Sequence, residues 1–167
     1  LLEKSDIFPK PKTSHKQYLT PDELKRFMAS DERSPGVAEA QKAFGFACLT
    51  GLRISDIKAL RWSDIKRNEE TNTLVIIQKK TKALNAVPIG NTALSWMPPK
   101  GDDDFVFHLP AKANVDAALK RIAKKVGIEK NISFHCSRHT SGILVQAVTR
   151  NIETTKKLMG HKSLKST

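Results

Sequence analysis

The chain has 167 residues, of which 39% are hydrophobic and 28% are charged, an ordinary composition for a folded domain. A chain of this length buries roughly 70% of its unfolded surface, which excludes a small disulfide-stapled protein. Lysine and arginine number 29 against 17 aspartate and glutamate, a net charge of +12, and +9 of it lies between Phe105 and Thr167. This surplus favours a polyanionic partner, with nucleic acid ahead of an anionic membrane surface.

Two further features limit the class of protein. The sequence has no apolar run near the ~18 residues that a membrane-spanning helix needs, so we expect no membrane partner. Cys48 and Cys136 each lie in an apolar helical stretch. They are therefore predicted to be buried, reduced thiols, as in cytosolic proteins.

The N-terminal part predicts a linker followed by a helix. Residues 1–19 are rich in proline and lysine and predict an extended interdomain linker, and residues 20–167 predict a single domain. Thr20 is placed as the N-cap of the first helix, with proline next and Glu23 completing a capping box. The helix is expected over about 21–30.

Two helices are predicted next. Apolar residues recur at spacings of three and four from Val37 onward and predict a core helix that ends at Gly51. A short helix follows, with Arg53 in its first turn. Arg53 lies beside the inward apolar stripe and not within it, so its side chain must face a polar partner. The stripe consists of Ile54, Ile57 and Leu60.

The second half of the sequence alternates strand and helix signals. The predicted elements are a β-hairpin of 73–77 and 86–89 with a lysine-rich connection, turns and an acidic loop over 91–104, and helices over 112–126, from about 136 to 148, and over about 152–159. The fold class is therefore a mostly helical α+β domain with a small antiparallel sheet.

Polar residues suited to phosphate chemistry are spread along this framework. Four short motifs occur in the order Thr50-Gly51-Leu52-Arg53, Lys80-Thr81 before Val87-Pro88, His135-x-x-Arg138-His139-Thr140, and Leu158-Met159-Gly160-His161. In type, order and spacing they resemble the catalytic domain of the tyrosine recombinases, the phage integrase family. Within that family, the four motifs are most similar to those of integrases of mobile elements in Bacteroides-type bacteria.

The resemblance implies site-specific DNA recombination by metal-free transesterification through a 3′-phosphotyrosyl intermediate, with no cofactor. Arg53 and Arg138 would then bind the scissile phosphate, because two permanently charged, planar guanidinium groups can replace a metal ion. His161 would donate a hydrogen bond to a non-bridging phosphate oxygen.

The resemblance also implies proton-transfer roles. Lys80 would protonate the leaving 5′-oxygen, although Lys79 and Lys82 are near enough to be alternatives. His135 would assist proton transfer from the nucleophile, and Asp56 would steady the active-site arginine.

In this family the nucleophilic tyrosine follows the Gly-His motif by about nine residues, near position 170 and beyond Thr167. The catalytic domain is therefore expected to be truncated before its nucleophile, and Tyr18, the only tyrosine, is expected to serve no such role. The implied partners are double-stranded DNA, a homo-tetramer formed on DNA through the C-terminal segment, and accessory DNA-bending proteins. The implied location is the bacterial cytoplasm, at the nucleoid when the protein binds DNA.

Three alternatives remain open at this level. A catalytically inactive DNA-binding relative and a type IB topoisomerase would share most of these residues. A zinc-dependent nuclease would need a metal held by His135 and His139 together with Cys136 or His161. The acidic base expected of a His-Glu-x-x-His enzyme is missing from that motif.

Overall fold

The computed structural model describes residues 17–67, 72–77, 82 and 84–149. In chain order they form α1 (Pro21–Met28), α2 (Pro35–Thr50), α3 (Ile54–Ile57), a 3₁₀ turn (Trp62–Asp64), β1 (Ile65–Arg67), β2 (Asn72–Ile77), β3 (Leu84–Ile89), α4 (Asn91–Ser95), α5 (Lys112–Lys125) and α6 (Cys136–Thr149). The prediction of a mostly helical domain with a small antiparallel sheet is confirmed.

Helix α1 begins with the predicted capping box. The Thr20 hydroxyl accepts from the Glu23 amide at 3.3 Å, and the Glu23 carboxylate accepts from the Thr20 amide at 2.7 Å. The helix ends at Met28, slightly earlier than predicted. The buried Gln41 amide of α2 donates to the Phe27 carbonyl at 2.7 Å, which satisfies a C-terminal carbonyl of α1 and joins the two helices.

Helix α2 is the centre of the domain. From Ala43 to Cys48 every residue is buried, and the helix packs against α1, α4, α5 and α6, as expected for a helix surrounded by others. The Phe44 ring lies between Phe27 and Phe134, with centroid distances of 5.2 and 6.0 Å. Gly45 lets neighbouring side chains approach closely, because a Cβ there would lie 2.7 Å from the Trp96 ring.

The sheet has the antiparallel order β1-β2-β3. In the β2–β3 hairpin Leu74 pairs with Val87, and both are buried against the helices. At the far end Ile77 pairs with Leu84, and these side chains are 67% and 71% exposed. This exposed apolar pair flanks the segment that contains Lys80.

Three sequence predictions differ from the structure. Strand β1 has no counterpart among the predicted elements, and the predicted loop 91–104 contains the short helix α4. In α6 the predicted apolar face continued through Ile143 and Ala147, but both are exposed. The predicted last helix, 152–159, lies outside the described residues.

Two other expectations can be compared with the described residues. Cys48 and Cys136 are buried free thiols, as predicted, and burial raises the pKa of Cys48. None of the helices in the described part of the chain combines the length and the apolar character needed to cross a bilayer.

Candidate functional site

The turn between α2 and α3 places Arg53. Gly51 ends α2 in the left-handed conformation, with φ of 70° and ψ of 13°, and its amide donates to the Ala47 carbonyl at 2.8 Å. The following residue, Leu52, is buried and holds the turn in the core. Arg53 is then the extended N-cap residue of α3, and its side chain remains 21% exposed.

Helix α6 brings Arg138 to the same turn. The residue is only 4% exposed, and its Nη1 donates to the Gly51 carbonyl. A buried guanidinium needs such partners, because its N–H groups have lost water. The motifs around Arg53 and Arg138 are therefore joined by a direct contact.

The charges at this junction act on one another. The Arg53 guanidinium lies 3.9 Å from the carboxylate of Asp56, whose side chain is almost fully buried. Burial, and after it the positive charge of Arg53, lower the pKa of Arg138 to about 10, while Asp56 acts in the opposite direction. Arg138 remains protonated at neutral pH. Two cations facing one carboxylate leave a net positive site that suits an anion.

His135 lies at the N-terminus of α6, and its carbonyl accepts from the Arg138 amide at 3.2 Å. His135 is exposed, while His139 is half-buried. Their rings meet edge to face, with centroids 4.8 Å apart. The exposed imidazole therefore lies one helical turn before Arg138.

Of the other candidate site residues, the structure describes only Lys82. Lys79, Lys80 and His161 lie outside the described residues. Lys82 is exposed, with a positive φ of 56°, in the connection between β2 and β3. The choice among the three lysines stays a prediction.

Two further observations concern Tyr18 and a metal site. Tyr18 is held at the domain surface, where its carbonyl accepts from Lys130 at 3.0 Å and its ring lies 5.1 Å from the same ammonium group. The part of the chain that the structure describes has no three His, Cys, Asp or Glu side chains placed to hold a metal ion.

Sequence reasoning missed one supporting residue. Asp116 of α5 accepts from the Phe134 amide at 2.7 Å, and its other carboxylate oxygen pairs with Lys112. It is one of only three acids between Phe105 and Thr167. The small number of acids in this region could have drawn attention to Asp116. No sequence pattern, however, links Asp116 to a backbone amide in another element.

Comparison with known proteins identifies the family of this chain. The sequence model of the phage integrase family matches residues 17–167. Tyrosine recombinase XerC of Xanthomonas axonopodis pv. citri is 25% identical over 172 residues, which cover 95% of this chain and 55% of that protein. The chain spans about half the length of the curated relatives that it matches.

Solved structures share the fold. XerH site-specific recombinase in a pre-cleavage complex with its difH substrate superposes with a TM-score of 0.72 at 22% identity, over 89% of this chain and 48% of that one. A lambda integrase tetramer bound to a Holliday junction gives 0.67 at 24% identity, over 88% and 47%. Because the family model covers most of the sequence, the chain belongs to the phage integrase family.

Proposed function

We propose that this chain is the catalytic domain of a site-specific DNA recombinase, which breaks and rejoins strands by metal-free transesterification through a 3′-phosphotyrosyl intermediate. The observation that carries the proposal is the junction of Arg53, Asp56 and Arg138. The names of the matched relatives support it, since they are tyrosine recombinases.

The chemistry follows from the charges at this junction. Negative charge develops on the phosphate oxygens as the phosphorus becomes pentacoordinate, and fixed cationic donors stabilise it most when they are already in place. Arg138 is held by the Gly51 carbonyl, and Arg53 is held beside Asp56. Neither guanidinium then needs large reorientation, so both can act as preorganised phosphate ligands.

The other roles come from the family resemblance. Lys80 would protonate the leaving 5′-oxygen, His135 would assist deprotonation of the attacking tyrosine, and His161 would donate to a non-bridging oxygen. His135 is exposed and lies one helical turn before Arg138, which is compatible with its role. The most specific part of the proposal is that the protein is the integrase of a Bacteroides-type mobile element, and this part rests on the motif resemblance alone.

Double-stranded DNA is the proposed substrate, bound by a tetramer of the whole protein. Exposed cations on α5 support DNA contact. Lys120 and Lys124 lie one turn apart, and neither forms an ion pair with a described carboxylate. Lys125, by contrast, lies 3.0 Å from the Glu32 carboxylate. With no described carboxylate as a partner, the first two lysines are suited to contact phosphate groups.

A covalent-adduct assay tests the proposal. The full-length gene product is incubated with a nicked duplex that carries its recombination site, identified first by selection of bound sequences from a random pool. We expect a denaturant-stable protein–DNA adduct that EDTA does not affect. Arg138→Lys should slow its formation by about 100-fold or more, since lysine cannot replace the bidentate fork.

The control variant is Lys42→Ala, which removes an exposed cation of α2 and should leave the rate unchanged. Absence of any adduct would refute the enzymatic proposal and favour an inactive DNA-binding relative. Relaxation of supercoils at random sites, without strand exchange, would instead identify a type IB topoisomerase. Metal-dependent cleavage without an adduct would favour a nuclease.

A further inference from the structure

Phe134, which directly precedes His135, is held at three points. Its ring is 1% exposed and packs edge to face on Phe44. Its carbonyl accepts from the Ser137 hydroxyl at 2.7 Å. Its amide donates to the Asp116 carboxylate at 2.7 Å, across 18 positions of sequence. Core packing and helix formation account for the first two contacts, while the third comes from another element.

The Asp116 contact restricts a backbone rotation that the other two contacts allow. The buried Phe134 ring fixes the depth of this segment in the core, but the backbone can still rotate about the ring. A hydrogen bond from the amide to α5 restricts that rotation, and a bond to a charged acceptor is about twice as strong as a neutral one. The next residue is His135, and Arg138 follows within one helical turn.

A carboxylate suits this position for two further reasons. It lies at the N-terminus of α6, where the helix dipole favours negative charge. Its second oxygen pairs with Lys112, one turn earlier in α5, and its side chain is only 17% exposed. The carboxylate thus has a partner for each oxygen, and its charge is compensated within the fold.

We propose that Asp116 is a positioning residue, which aligns His135 and Arg138 with the scissile phosphate by anchoring the start of α6 to α5. The inference rests on the proposed recombinase function. Asp116 acts through the backbone of Phe134 and touches neither the DNA nor the reacting atoms.

The test separates positioning from folding and from DNA binding. Asp116→Ala and Asp116→Asn are made in the full-length protein. Each variant is assayed for thermal unfolding, for the dissociation constant of site DNA, and for the rate constant of adduct formation at saturating DNA. Asp102→Asn is the matched control, because Asp102 is an exposed acid with no ion pair to a described residue.

We expect Asp116→Ala to lower the rate constant by about 10- to 100-fold, the range that a small misplacement of catalytic groups can produce. DNA affinity should stay within about twofold of the wild type. Asp116→Asn should recover most of the rate, because its amide oxygen can still accept from Phe134. Asp102→Asn should match the wild type.

An unchanged rate for Asp116→Ala would overturn the inference while leaving the proposed function intact. So would a rate that falls only in proportion to the folded fraction or to DNA affinity, which would indicate a purely structural role. A wild-type protein that forms no adduct would overturn the proposed function, and the inference with it.

Discussion

Gly51 is the residue on which the two arginine motifs converge. Its positive φ ends α2 and turns the chain toward Arg53, while its carbonyl accepts from Arg138. An L-residue in the left-handed conformation costs roughly 1–2 kcal/mol. The glycine of the Thr-Gly-Leu-Arg motif is therefore required both for the turn and for the position of an acceptor atom.

Gly51→Ala should lower the free energy of unfolding by about 1–2 kcal/mol and also slow adduct formation, because strain at this turn displaces the Arg138 acceptor. Denaturant titration and the adduct assay measure the two effects. Gly127→Ala is the matched control, since Gly127 has a φ of 71°, has open space around its Cβ position, and lies outside the arginine junction. It should lose similar stability and keep full activity. Equal loss of activity in both variants would contradict the role assigned to the Gly51 carbonyl.

How much of the site could be predicted differs from residue to residue. Arg53, Asp56 and Arg138 could be selected because each lies in a short motif with a recognisable spacing. The Gly51 carbonyl and the Asp116 carboxylate could not be assigned their contacts, since partners 87 and 18 positions apart leave no local pattern. Such contacts arise only when α5 and α6 pack on α2.

At the scale of single elements, the packing of α2 depends on the close approach of neighbouring side chains to Gly45 as well as on apolar burial. A Cβ at Gly45 would lie 2.6 Å from the Met28 sulfur and 2.7 Å from the Trp96 ring. The methionine can move, but the ring is part of the core rim. This side of α2 therefore accepts no larger residue without displacement of its neighbours.

Gly45→Ala should destabilise the domain by about 1–2 kcal/mol, because overpacking outweighs the ~1 kcal/mol by which alanine favours a helix. Thermal unfolding should show a midpoint lowered by about 2–8 °C. The control Gly36→Ala changes a glycine in the same helix that has no atom within 4 Å of its Cβ position. It should be neutral or slightly stabilising. A Gly45→Ala protein as stable as the control would show that the contacts relax freely.

Element prediction succeeded where a signal was local or long. The capping box of α1 is contained in four consecutive residues, and α2 and α5 each run over several turns of periodic apolar positions. Strand β1 and helix α4 have only three and five residues, too few to show a period. Their presence is set by pairing with β2 and by packing on α2.

At the scale of the whole molecule, the described lysines of the basic region differ in whether a described carboxylate pairs with them. Lys112, Lys125 and Lys130 pair with carboxylates, whereas Lys120 and Lys124 do not pair with any described one. Sequence composition placed all five in one basic region. The structure shows which of them are tied into the fold.

A salt titration of DNA binding tests this division. Replacing Lys120 and Lys124 together by glutamine should reduce the slope of log K against log salt concentration by about 2, at roughly 0.9 per lost phosphate contact. Lys125→Gln, which removes a cation paired with Glu32, should change the slope by much less. Affinities for one duplex over a range of salt concentrations provide the measurement. An unchanged slope in the double variant would mean that these lysines are simply solvated.

The bond between Arg138 and the Gly51 carbonyl also sets when the site can exist. The two residues are 87 positions apart, and a ribosome makes the first long before the second. A nascent chain that ends before α6 has Arg53 but lacks Arg138, the second guanidinium of the proposed phosphate site. In the proposed enzyme, the capacity to break DNA would therefore arise only after synthesis has passed Arg138 and α6 has packed on α2.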